Sequence, residues 1–156
     1  MIFSKEQIRA LNDLNVSGKG GKDREIAEAL GHQRVSSKYY DGVDAYGQTW
    51  EYKKQTSMQF LDPYKFSQMM EEEKQIPILF FNHVEGKIVS VHKATYEEVI
   101  KKMGYTKEGL SMLNTLFERP EYSNRTPQPK AVLTKKEILS FEKVLDLFEN
   151  GDKNEN

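Results

Sequence analysis

A chain of 156 residues, 37% hydrophobic and 30% charged, is long enough for one domain with a real core and rarely for two. It contains no cysteine and only three histidines, which excludes disulfides and thiolate metal sites and argues against a histidine-rich zinc site. The 23 basic and 24 acidic residues nearly cancel, so a surface for a polyanion must come from segregated charge, as in the basic stretch holding Arg119, Arg125, Lys130, Lys135 and Lys136.

No run approaches the roughly 18 apolar residues that cross a bilayer. The N-terminal MIFSKEQIRALNDL has neither the apolar core nor the cleavage pattern of a secretory signal. The expectation is a cytoplasmic protein with no membrane association.

Ser4 caps a first predicted helix whose Ile8, Leu11 and Leu14 share one face. Asn15 to Gly21 reads as a flexible break, and a second short helix, Lys22 to Leu30, stops at Gly31. Gln33 to Thr56 then reads as two strands joined by a turn. Pro63 opens a helix through Gln75 with Phe66, Met69 and Met70 inward. Ile76 to Phe81 is a continuous apolar run, as expected of a strand buried on both faces. Glu85-Gly86 turns it into a second strand, KIVSVHK, whose alternation predicts one wet face. Thr95 with Glu98 makes a capping box for TYEEVIKKMG. A proline-dotted basic loop, Arg119 to Lys130, follows, and Thr134 with Glu137 caps a last amphipathic helix through Phe148. The expected product is one α/β domain over residues 1–150, a mixed central sheet flanked by helices, with a frayed tail at 151–156.

The segment from Tyr40 to Gln55 carries the chemistry. Residues two apart on a strand share a face, so Glu51 and Lys53 project together while Trp50 and Tyr52 project the other way into a core. The charged face is therefore expected to be open. A two-residue Tyr46-Gly47 turn would force Tyr46 to positive φ, whereas a three-residue loop, Ala45-Tyr46-Gly47, puts glycine at the left-handed position such loops require. Asp44 then pairs with Gln48, and Asp41 falls across from Glu51. Directly opposed residues have Cβ atoms about 4.5–5.5 Å apart, so two carboxylates there call for a cation between them. An all-oxygen set suits Mg²⁺, with Mn²⁺ as its substitute, and Lys53 beside it suits stabilisation of charge on a phosphate or deprotonation of an attacking water. Asp44 is the rival ligand, and this register sends it to the side of Trp50 and Tyr52.

The pattern resembles the PD-(D/E)xK nuclease superfamily: an Asp, a hairpin, then Glu-x-Lys. It is most similar to the PvuII-type type II restriction endonucleases, small homodimers of comparable length. The pieces that carry the likeness are Gly20-Gly-Lys22, then Asp41-x-Val-Asp-x-x-Gly-Gln-x-aromatic-Glu-x-Lys53, then Lys74-Gln-Ile-Pro77 and finally Pro129-Lys130, in that order along most of the chain. The resemblance implies a restriction-endonuclease-like fold, Asp41 and Glu51 as metal ligands, Lys53 as the catalytic lysine, and double-stranded DNA as the substrate of a homodimer. Glu25 resembles the helix carboxylate that many superfamily nucleases use as an extra metal contact. Gln128 stands where the family has a base-reading asparagine, and glutamine also makes a bidentate contact to adenine. The family's histidine cluster after the catalytic strand is absent, with Gln55, Ser57 and Gln59 in that region, and Glu73 stands nearest the place of a family tyrosine.

The sequence thus predicts a Mg²⁺-dependent, sequence-specific DNA endonuclease acting as a homodimer, with Asp41, Glu51 and Lys53 catalytic and Arg125 and Lys130 among its DNA contacts. The helix within residues 1–16 is a candidate dimer element, with packing inside the chain as the alternative. A structure-directed or nicking nuclease is the second reading, and a catalytically silent DNA-binding module the third.

Overall fold

The computed structural model describes residues 1–18, 22–55, 57–72, 74–117 and 131–147. Helix α1 (Lys5–Asp13) starts at a reciprocal pair in which the Gln7 N–H donates to Ser4 Oγ and the Ser4 N–H donates to Gln7 Oε1. Helix α2 (Asp23–Leu30) ends where Gly31 takes φ 70°, a left-handed conformation that costs glycine little. Strands β1 (Gln33–Arg34), β2 (Gly42–Val43) and β3 (Thr49–Gln55) follow, three strands where the sequence reading expects two. After β4 (Gln59–Leu61), Asp62 caps α3 (Pro63–Glu71), with proline at the first helical position where its missing N–H is harmless.

β5 (Ile78–Val84) and β6 (Lys87–Ala94) form a hairpin through Glu85 and Gly86, both at positive φ. Helix α4 (Tyr96–Lys102) begins at the expected Thr95–Glu98 box. A helix not anticipated from the sequence, α5 (Lys107–Phe117), follows and packs on α3. The chain then gives β7 (Ala131–Leu133), α6 (Lys135–Leu139) and β8 (Glu142–Asp146).

The six-stranded sheet runs β1-β2-β3-β5-β6-β8, and β4 and β7 form a separate pair. Only β3 and β5 are parallel, so the sheet is mixed, as expected. With six helices among the described residues, the chain is a single α/β domain. Alternation along β5 feeds two cores. Ile78 and Phe80 join Phe66, Met69, Tyr96 and Leu110 on one side, while Leu79 and Phe81 join Leu11, Ile26 and Leu30 on the other. The strand starts two residues into the apolar run expected at Ile76 to Phe81, and its burial continues past it to Asn82 and His83.

Three expectations change. β6 has no clean wet face: Ile88 and Val91 both enter the core shared with α1 and α2, and buried Ser90 and His92 hydrogen-bond to each other on the other side. The last helix stops before Ser140, and residues 142–146 become that edge strand. Phe141 and Leu145 stand four apart and mimic one helix face, yet they enter opposite cores: Phe141 precedes the strand, and a bulge at Val144, where the ladder passes from Leu145 to Lys143, reverses the alternation. The break after α1 is pinned at its start, since Val16 is fully buried and its N–H donates to the Gly86 carbonyl at 2.8 Å.

The α1 stripe faces this chain's own core. Leu11 is fully buried, with Ile8 and Leu14 packed beside it. No helix among the described residues is long and apolar enough to cross a membrane.

Candidate active site

The β2–β3 hairpin closes as its glycine dictates. Asp44 N–H donates to Gln48 O at 2.9 Å, Gly47 N–H donates back to Asp44 O at 3.1 Å, and Gly47 takes φ 85°. The ladder pairs Val43 with Thr49 and Gly42 with Trp50. These pairs are the ones the three-residue loop predicts; Asp41 lies just before the strand, and it and Glu51 line one cleft. The Asp41 N–H donates to Trp50 O at 2.8 Å, and its Oδ2 accepts the Tyr52 N–H at 2.8 Å. The carboxylate is therefore fixed by the strand that carries its partner.

The rival Asp44 has a different job. Its carboxylate accepts from the backbone N–H groups of Tyr46 and Gln48, each at 2.9 Å, and from Trp50 Nε1 at 3.0 Å. Burial raises its pKa, but these three hydrogen bonds outweigh it and hold the carboxyl below its ordinary value. Asp44 ties the turn to the Trp50 side, the face its register assigned it.

Tyr52 also points away from the carboxylates, and its hydroxyl lies 2.8 Å from His32 Nδ1. Burial lowers the His32 pKa and so favours the neutral ring, against the opposing pull of the Asp44 charge. Gly42 makes this approach feasible, because a Cβ there would collide with the Tyr52 hydroxyl.

On the opposite face the charged cluster is not open. Glu51 is only 5% exposed. Its Oε1 meets two ammonium groups, Lys65 Nζ at 2.8 Å and Lys53 Nζ at 3.2 Å. The expectation of an open face fails because α3, with Phe66 and Met69 anchored in the core, brings Lys65 onto the carboxylate. A cleft of about 380 Å³ remains, lined by Asp23, Asp41, Glu51, Lys53, Gln59 and Lys65 among others. Burial pushes the Asp41 carboxyl up to about 6. The negative charges of Asp23 and Glu51 push the same way, while the Tyr52 N–H and the Lys53 charge pull it down.

Asp23 and Lys65 were not singled out from the sequence. Asp23 had a signal: it lies three residues before Ile26 and four before Ala27, on the stripe that α2 buries. Glu25, the helix carboxylate chosen instead, is exposed and does not line the cleft. Lys65 had none, since nothing local distinguishes it from other helix lysines. Of the expected DNA contacts, Gln59 lines the cleft, Ser57 is exposed between β3 and β4, and Gln55 ends β3 opposite Asn82. Arg125, Gln128 and Lys130 lie outside the described residues, as do Gly20, Gly21, Glu73 and the tail.

No protein-family model and no curated protein matches this sequence. Function must be read from the cleft itself. A larger cavity, about 790 Å³ between α1, α2 and the hairpin turn, holds none of Asp41, Glu51 and Lys53. The smaller cleft is where carboxylates, ammonium groups and a raised pKa coincide.

The donor set discriminates between metals. Among the described residues no group of three or more His, Cys, Asp or Glu side chains is placed to hold an ion, which does not fit a closed zinc site. Mg²⁺ keeps several waters and needs only one or two carboxylates besides substrate phosphate. Asp41 and Glu51 meet that need, and a cation between them would relieve the repulsion that helps raise Asp41.

Proposed function

We propose that this protein is a Mg²⁺-dependent DNA endonuclease with a restriction-endonuclease-like fold, hydrolysing phosphodiester bonds in double-stranded DNA. The observation that carries this reading is that Asp41, Glu51 and Lys53, two residues beyond Glu51 on the same strand, line one cleft. Asp41 and Glu51 would hold Mg²⁺, or Mn²⁺ in its place, and the bound ion would supply a water of lowered pKa and neutralise the phosphate.

The rest of the chemistry falls to the chain. The Tyr52 N–H orients the Asp41 carboxylate, so ligand geometry is set before substrate arrives. Lys53 places an ammonium beside Glu51, where it can face the negative charge that builds on the phosphate as water adds to phosphorus. The polar, cation-bearing lining of the cleft suits a polyanion and no apolar ligand.

Site-specific cutting of both strands by a homodimer is the leading form, since two such clefts on a twofold axis match a palindrome. A nicking or structure-directed nuclease is the second form, and one observation favours it. The α1 stripe is buried in its own core, so the element expected to join two copies is already occupied. Incubating the purified protein with Mg²⁺ and a plasmid of known sequence separates the two. Discrete double-strand fragments support the dimeric enzyme, and nicked circles or preference for branched DNA support the other. Mapping the ends gives the recognition sequence in the first case.

A further inference from the structure

Two ammonium groups on one oxygen of a nearly buried carboxylate is an over-neutralised arrangement. The Glu51 side chain is 7% exposed and those of Lys53 and Lys65 are 28% exposed. Lys53 reaches Glu51 from the same strand, two residues on. Lys65, at 2.8 Å the nearer, comes from α3. The helix fixes where its stem starts: Asp62 Oδ1 accepts the Tyr64 N–H at 3.0 Å, Pro63 opens the first turn, and Phe66 next to Lys65 is buried. The Lys65 ammonium is thus delivered to the cleft by packing that does not depend on Glu51.

A divalent cation on Glu51 is repelled by both ammonium groups at that carboxylate, most strongly by Lys65, which at 2.8 Å stands nearer than Lys53 at 3.2 Å, and the low exposure weakens solvent screening. We propose that Lys65 competes with the metal for Glu51 and, once displaced, remains in the cleft as a contact to the DNA phosphate. This rests on the nuclease reading above. Lys65 and Lys53 together compensate the buried Glu51 charge, so either could leave without stranding it unpaired. With the cation bound, Glu51 no longer needs it, while a phosphate entering the same cleft does. Lys65 would then be a positioning and phosphate-binding residue distinct from Lys53.

The test is calorimetric titration of Mg²⁺ alone into wild-type protein, Lys65→Met and Lys65→Arg, without DNA. It is paired with the salt dependence of DNA binding in Ca²⁺. Methionine keeps the stem and removes the charge, and arginine restores the charge should the methionine variant fold poorly. The expected result is Mg²⁺ affinity about tenfold tighter for Lys65→Met and close to wild type for Lys65→Arg. In Ca²⁺, Lys65→Met should bind DNA more weakly and lose about one unit of salt slope. Mg²⁺ affinity that is unchanged or weaker in Lys65→Met, or an unchanged salt slope, overturns the inference while leaving the nuclease reading intact. Failure of all three proteins to bind Mg²⁺ would overturn both.

Discussion

Asp41 accepts a hydrogen bond from the backbone of Tyr52, the residue next to Glu51. Placement of one ligand is therefore tied to the strand that carries the other, and a shift of one residue in register would turn Glu51 into the core and Tyr52 into the cleft. The turn that sets this register is held by Asp44, which divides the labour between two aspartates three residues apart.

That division is testable. Asp44→Ala removes the acceptor for Tyr46, Gln48 and Trp50. It should destabilise the fold by about 1–3 kcal/mol in chemical denaturation, while the folded variant still binds Mg²⁺ near the wild-type level. Asp41→Ala should do the reverse, losing Mg²⁺ binding with a smaller loss of stability. If Asp44→Ala abolished Mg²⁺ binding in well-folded protein, the assignment of ligands would be wrong.

The raised Asp41 pKa has two consequences of known sign. Its folded value is about 6 against an ordinary value of 3.8, so between those values the folded state binds more protons than the unfolded state. This group's contribution to stability therefore falls as pH rises from about 4 to 6. Asp41→Asn, which keeps an acceptor for Tyr52, should stabilise the metal-free protein at pH 8, by about 1 kcal/mol once solvent screening at this partly exposed group is discounted. Mg²⁺ competes with the proton, so wild-type Mg²⁺ affinity should weaken as pH drops below about 6. Titrations at pH 5 and pH 8 that gave equal affinity would contradict this.

Gly42 and Tyr52 should behave as a coupled pair. Gly42→Ala forces the Tyr52 hydroxyl away from His32 and should cost about 1–3 kcal/mol, as overpacking does. Tyr52→Phe removes the colliding oxygen, so the double variant should be more stable than the sum of the single changes implies. Additivity within about 0.5 kcal/mol in a double-mutant cycle would mean that the close approach is not what requires glycine.

What was legible in the sequence was local. Gly47 required a left-handed position, that requirement set the loop length, and simple counting then gave the Val43–Thr49 and Gly42–Trp50 pairs of the ladder. The capping boxes at Thr95 and Thr134 likewise marked helix starts, because both partners of each box lie within one turn. What was not legible depended on distant neighbours. Residues 142–146 became a strand because the outer edge of β6 had backbone groups to satisfy. Phe141 and Leu145 alone could not show that. Lys65 meets Glu51 across 14 residues of sequence, through the docking of α3. The burial of Glu51 follows from that same docking, so the cleft was expected to be more open than it is.

The most direct test of the nuclease reading is a Mg²⁺-dependent cleavage assay on plasmid DNA comparing wild type, Glu51→Ala and Lys53→Ala, with DNA and Mg²⁺ binding measured alongside. Wild type should cut. Lys53→Ala should bind DNA but cleave at least about 100-fold more slowly, the usual scale for losing a group that acts on the transition state, and Glu51→Ala should lose Mg²⁺ binding. No cleavage of any DNA by wild type, together with unchanged Mg²⁺ binding in Glu51→Ala, would contradict the account.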